Sequence, residues 1–223
     1  MIEVTSRKDD ENTLYEAILN DISAGRLEGG QRLKVAELAR QYGVSTSPVR
    51  EVLRRMQGEG FVEISPNKGA AVRKADANTI QNIFEILELL EPYFVAWFAE
   101  FSRPEMLREM ELTQAEIEKT PVADLLGFRK LDSDFHWAIC KRHYNKPAAD
   151  MWRNMRRALN VYGAKLNINP PRYDTIMHEH RELLAAFADN NVDLSVEVIR
   201  RHLKGSFQQM SQQMRVLGFD ENR

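Results

Sequence analysis

A mainly α-helical protein in two parts is predicted for these 223 residues, on three observations. Apolar residues recur every three or four positions through most of the chain, the spacing of one buried helix face. That pattern is interrupted once, where two short β-prone runs, Phe61 to Ile64 and Ala70 to Arg73, flank the turn-rich Ser65-Pro66-Asn67-Lys68-Gly69. Pro104, Pro121, Pro147, Pro170 and Pro171 each stand where a new apolar pattern begins, as prolines do in a first helical turn. The expected architecture is a small N-terminal unit, residues 1–74, followed by an all-α bundle of six helices, residues 75–223. A chain of this length has room for two domains with separate cores.

The elements follow in order. Leu14, Ile18, Leu19 and Ile22 mark a first helix that stops at Gly25, a residue suited to a left-handed cap. After Gly29-Gly30, Val35, Leu38 and Ala39 predict a short second helix ending near Tyr42-Gly43. A third begins at once: Ser45 or Ser47 can cap it, Pro48 is tolerated in its first turn, and Val49, Val52, Leu53 and Met56 form its buried stripe. Two helices joined through Gly43-Val44-Ser45, then a β-hairpin over 61–73, make a winged helix-turn-helix. Polar residues Lys74 to Asn78 read as a linker. The six bundle helices are expected near 76–101, 104–118, 121–143, 146–167, 171–189 and 193–216. The first of these is apolar on more than one face (Ile80, Ile83, Phe84, Leu87, Leu90, Phe94, Trp97, Phe98), as a bundle core or dimer seam requires.

Composition narrows the function. With 43% apolar and 29% charged residues the chain is globular, and its most apolar stretch, Ile83 to Phe101, contains four glutamates, which excludes a spanning helix. A polar, acidic start from Met1 to Glu11 and a single cysteine, Cys140, predict a cytoplasmic protein with no internal disulfide. Net charge is −2, yet Arg40 to Lys74 holds seven basic residues against three acidic ones. A compact basic patch on an acidic body suits a reader of DNA.

Within that patch the third helix would present its N-terminus, with its free N–H groups, to the DNA. Arg50 and Arg54, four apart, share a face, and Arg50 is the first candidate for a bidentate contact to guanine. Ser45, Thr46 and Ser47 are short donors for phosphate or a base edge, and Lys68 and Gly69 form the wing tip. Gly30-x-x-Leu33, Leu38-Ala39, Gly43-Val44-Ser45, Pro48-Val49-Arg50-Glu51, Glu59-Gly60 and Gly69-x-x-Val72 together resemble the winged-helix domain of the GntR family of bacterial transcription regulators. The resemblance implies that Arg32 and the start of the second helix touch phosphates. It also shows a departure: many members carry arginine where this chain has Thr46, so the operator is expected to differ from the usual one.

In the second part Asp132 and His136, four apart on a helix, point off one face, and His180 and His202 follow on later helices. Three imidazoles and a carboxylate can converge in a bundle and hold a divalent transition ion, Zn²⁺, Ni²⁺ or Mn²⁺. Spacing alone equally allows a core His136 with His180 and His202 at the surface. The order Asp132-x-x-x-His136 with Phe135, then Glu179-His180 and His202, resembles the FCD effector domain of the FadR subfamily, and six helices are more like its VanR-type branch. That resemblance implies Asp132, His136, His180 and His202 as metal ligands and a small organic acid as effector, with Arg153, Arg156 and Arg157 as candidate cations. His143 and His178 fall outside the pattern and are read as surface residues or as neighbours behind the ligands. Members commonly carry arginine four residues before the glutamate of their first effector-domain helix; here Leu87 precedes Glu91.

Three functions are weighed. The first is a homodimeric regulator that binds a double-stranded DNA operator under metabolite control. The second is a constitutive DNA binder with a purely structural second domain. The third, a metal-dependent enzyme, lacks a well-aimed general base, since Glu179 adjoins a ligand but points about 100° away from it. The first is expected, with no catalytic residue and no membrane contact.

Overall fold

The computed structural model describes residues 7–74, 77–164 and 166–217. The chain divides into two compact units, Met1–Ala75 and Asp76–Arg223. The expected linker around 74–78 lies partly outside the described residues.

The first unit runs α1 (Arg7–Ser23), β1 (Arg32–Leu33), α2 (Val35–Gln41), α3 (Thr46–Gly58), β2 (Val62–Ser65) and β3 (Gly69–Val72). Its core joins Leu14, Tyr15, Ile18 and Ile22 of α1 to Val49, Val52, Leu53 and Met56 of α3. Gly43, at φ +67°, makes the sharp turn between α2 and α3 that a Cβ would strain. Buried Asp21 locks α1 to α2 by accepting from Tyr42 Oη (2.6 Å), Gln41 (3.0 Å) and Arg26. The sheet has order β1-β3-β2, all antiparallel, with Arg32 opposite Ala71 and Ser65 opposite Gly69. Strand β1 is absent from the sequence expectation, because two residues are too few to show an alternating pattern.

The second unit contains α4 (Ala77–Phe101), α5 (Pro104–Lys119), α6 (Leu125–Cys140), α7 (Lys146–Tyr162), α8 (Pro170–Ala188) and α9 (Val192–Val216), six helices among the described residues. Helix α4 is the central element and packs against α6, α7, α8 and α9. Its residues Ile80, Phe84, Leu87, Phe94, Val95 and Phe98 are buried and share one broad face. No helix of the described residues is long and apolar enough to cross a membrane.

Four bundle helices begin with an Asx side chain accepting from the amide three residues on: Asp124, Asn145, Asn169 and Asn191. Three expected boundaries are corrected. Helix α6 starts after Asp124 and not at Pro121, since only Asp124 supplies a first-turn acceptor, and it ends at Cys140, beyond which the His143 amide turns back to the Cys140 carbonyl. Helix α7 stops at Tyr162 because Gly163 closes it, five residues before the expected end.

Candidate nucleic-acid interface and metal centre

In the first unit, burial of Val49, Val52, Leu53 and Met56 turns the opposite face of α3 outward. Ser45, Thr46, Ser47, Arg50 and Arg54 are all exposed. Ser45 occupies the N-cap position without a side-chain cap bond, and Pro48 has no N–H, so Thr46 and Ser47 supply the free first-turn donors. The three arginines of α3 differ in their neighbours. Arg50 forms no ion pair with any described residue. Arg54 reaches Glu51 at 2.9 Å in an exposed pair. Arg55 lies 4.0 Å over the Tyr15 ring and donates to Glu59 (3.0 Å) and Asn12 (2.8 Å), which ties α3 to α1.

The wing tip is glycine with φ +73°, and a Cβ there would stand 3.7 Å from the Arg32 guanidinium. Pairing of β1 with β3 therefore brings Arg32 beside Gly69, two positions that are 37 residues apart in sequence. Lys68 is exposed next to them.

In the second unit Asp132, His136, His180 and His202 come together, each offering one ligand atom within 4.8 Å of the others. The imidazole centroids form a near-equilateral triangle with sides of 5.4, 5.0 and 5.2 Å. Asp132 Oδ1 lies 3.5 Å from His180 Nε2 and 3.9 Å from His136 Nε2. Both distances fit donors about 2.1 Å from a shared ion, which are at most about 4.2 Å apart. All three imidazoles are buried, and the His180 ring stacks on Phe135 at 4.1 Å and 7°.

Each ring is held from behind at Nδ1. His136 Nδ1 faces Glu91 Oε2 at 3.1 Å, His180 Nδ1 faces Gln114 Oε1 at 2.8 Å, and His202 Nδ1 faces Glu179 Oε2 at 3.0 Å. An oxygen at Nδ1 places the proton there and leaves the Nε2 lone pair free to coordinate. The Nε2 atoms of His136 and His180 are buried without a hydrogen-bond partner. Burial, and then the neighbouring His202, push the His180 pKa well below its usual value; burial likewise lowers that of His202. These imidazoles are thus neutral, as metal ligands must be. Burial alone would raise the Asp132 pKa, but Arg156 and the imidazoles hold it well below the usual carboxylate range. Glu91 behaves alike, with His136 and Arg156 overcoming burial to hold it at about 2. Three imidazoles held from behind, two of them with orphaned Nε2 atoms, together with a carboxylate fit a borderline divalent ion.

The candidate cations separate. Arg156 is buried, hydrogen-bonds to Asp132 and lies 3.8 Å from Glu91. Arg153 is exposed and stacks on Trp137 at 4.6 Å, while Arg157 is half-buried on the same helix. His178 is exposed, as expected. His143 requires a correction: it is neither at the surface nor behind a ligand but fully buried in a cage of Tyr93, Phe94, Trp97 and Tyr144 rings, its Nδ1 accepting from the Asn145 amide.

Residues 82–205 match the FCD domain family, and residues 11–72 match the family described as bacterial regulatory proteins, gntR family. The Nta operon transcriptional regulator of Aminobacter aminovorans is 27% identical over 81% of this chain and 85% of its own. The HTH-type transcriptional regulator McbR of Escherichia coli is 30% identical over 75% and 77%. Among solved structures, E. coli McbR/YncC superposes with a TM-score of 0.79 over 91% of this chain and 97% of that one, at 21% identity. A GntR regulator from Rhodococcus follows the same fold with a TM-score of 0.75, 18% identity, and coverage of 90% and 97%.

Proposed function

Since the chain belongs to the GntR family of bacterial transcription regulators that carry an FCD domain, we propose that it acts as a homodimer whose grip on a near-palindromic operator is set by a small organic acid bound beside a divalent metal ion. It is a regulator and not an enzyme, as its relatives are. The carboxylate nearest the cluster on α8, Glu179, is engaged by His202 and by Arg172 at 3.0 Å, which leaves it no role as a general base.

Two third helices, one from each copy, enter successive major grooves about 34 Å apart. Arg50 reads a base, Arg54 shares its face, and Ser45, Thr46 and Ser47 with the N-terminus of α3 hold phosphate. Arg32, Lys68 and Gly69 carry the wing to the adjacent groove or backbone. In the FCD domain Asp132, His136, His180 and His202 hold Zn²⁺, Ni²⁺ or Mn²⁺. The ion supplies an open coordination position for a carboxylate oxygen. Arg156 fixes Asp132, while Arg153 and Arg157 on the same helix are candidates to meet the effector's outer part. An acid that binds one DNA-affinity state better than the other shifts operator occupancy by that difference.

The observation that carries this reading is the set of three imidazoles anchored at Nδ1, with Nε2 of His136 and of His180 at 3.9 and 3.5 Å from Asp132 Oδ1. Metal analysis of the full chain purified without chelator tests it. One divalent ion per chain is expected, lost in His136→Ala and His180→Ala. Equal metal content in wild type and variants, or none in either, would instead favour the constitutive DNA binder.

A further inference from the structure

A groove of about 510 Å³ lies between α8 and α9, and its charged lining is Arg172, Glu179 and Glu182 from α8 with Arg201 and Lys204 from α9. Small-molecule sites span roughly 300–1,000 Å³, so the groove has room for one. Arg172 lies deepest, 8% exposed, over Gly205 of α9, where a Cβ would stand 2.6 Å from its Nη1 and displace the guanidinium. Its Nη1 donates to Glu179 at 3.0 Å, and its Nη2 donates to the His202 carbonyl at 2.7 Å and to Ser206 Oγ at 2.8 Å. Its Nε is buried and has no hydrogen-bond partner among the described residues.

The charged groups divide by what they have left to offer. Glu179 is already met by Arg172 and by His202 Nδ1, and Glu182 by Arg201. Lys204 is exposed and makes no hydrogen bond or ion pair with any described residue. The charged groups still unengaged, the Lys204 ammonium and Nε of Arg172, are therefore donors, and three cations face two carboxylates. A buried donor without an acceptor costs free energy that a bound acceptor returns. What completes such a groove is an anion.

We propose that the α8–α9 groove is a second ligand site, outside the cluster of Asp132, His136, His180 and His202, and that it takes a phosphate group, free or carried by a small metabolite. Lys204 meets the phosphate from α9 and Arg172 from α8. A carboxylate presents its oxygens in one plane, whereas a tetrahedral phosphate presents them to donors on both walls at once, and arginine and lysine are the side chains suited to it.

The test is calorimetric titration of the full chain with inorganic phosphate and glycerol phosphate, against acetate and chloride. One saturable site per chain, at about 1 mM or tighter, is expected for at least one of the two phosphates and for neither control. The tighter of the two tells a phosphorylated metabolite from the free ion. Lys204→Gln is expected to weaken binding about ten-fold at an unchanged melting temperature, since that side chain has no folded-state partner. Gly205→Ala, which crowds Arg172, should weaken it too, and His136→Ala should leave it as it is. No saturable binding of either phosphate, acetate bound equally well, or an unaltered affinity in Lys204→Gln overturns the proposal. Loss of binding in a folded His136→Ala protein also overturns it, by placing the anion at the cluster.

Discussion

Glu91 Oε2 stands 3.1 Å from Nδ1 of His136, and the two side chains are 2% and 1% exposed. The same carboxylate accepts from Trp152 Nε1 at 2.9 Å through its other oxygen, so α4 orients a candidate ligand on α6 and is itself fixed from α7. Replacing an oxygen behind a ligating imidazole weakens metal binding by about 10–100-fold. Glu91→Gln keeps the shape and loses the charge, so the lower end of that range is expected; Glu91→Ala, which also leaves Arg156 and Trp152 without their acceptor, should reach the upper end. Competition with a chelating dye measures both. Equal affinity in all three proteins would remove Glu91 from the metal centre.

Arg50 is exposed on α3 and unpaired, so its truncation removes no folded-state contact. Arg50→Ala is expected to weaken specific operator binding by about 1–3 kcal/mol while non-specific DNA binding and helix content hold. Fluorescence anisotropy with an operator fragment and a scrambled competitor separates these effects. A uniform loss across both DNAs would make Arg50 a phosphate contact.

Arg55 reverses the expectation for its neighbours. It sits on the Tyr15 ring and bonds Glu59 and Asn12, so Arg55→Ala is expected to lower the stability of the first unit by about 1 kcal/mol, much of the exposed part being screened. Hydrogen exchange at α1 and α3 amides would accelerate roughly five-fold, the equivalent of that energy. Operator specificity should stay intact.

Much of this was legible in the residues. Gly43, Pro48 and the apolar spacing of α3 each have one local structural meaning, so the helix-turn-helix could be read directly. Asp132 and His136 could be paired because a helix repeats every four positions. The oxygens behind the imidazoles were harder, because those contacts cross between helices. A signal existed nonetheless: Gln114 interrupts the buried stripe Met106, Met110 and Ile117, and Glu91 falls between Leu87 and Phe94. A polar residue at a core position implies a buried partner. His143 misled because its cage is built by Tyr93 and Trp97 of α4, some fifty residues away, and only tertiary packing brings them together.

Acid should release the metal and loosen the second unit in two stages. The folded-state pKa values of His180 and His202 are depressed, first by burial, whereas in the unfolded chain both titrate near 6.5. Above that value neither state binds these protons and the stability is fully present. As the pH falls below about 6.5 the unfolded chain takes up protons that the folded one refuses, and stability declines toward the folded values. Glu91 adds a lower window: its folded pKa of about 2 lies under the ordinary 4.5, so the stability it contributes above 4.5 fades between those two values. Melting curves of chelator-stripped protein should therefore fall first as the pH drops below about 6.5, and again below about 4.5. Zinc should raise the melting temperature at pH 7.5 and lose that effect through the first window, because protons compete for the same Nε2 atoms. His180→Ala should flatten the first decline, and a decline unchanged in that variant would assign it to other groups.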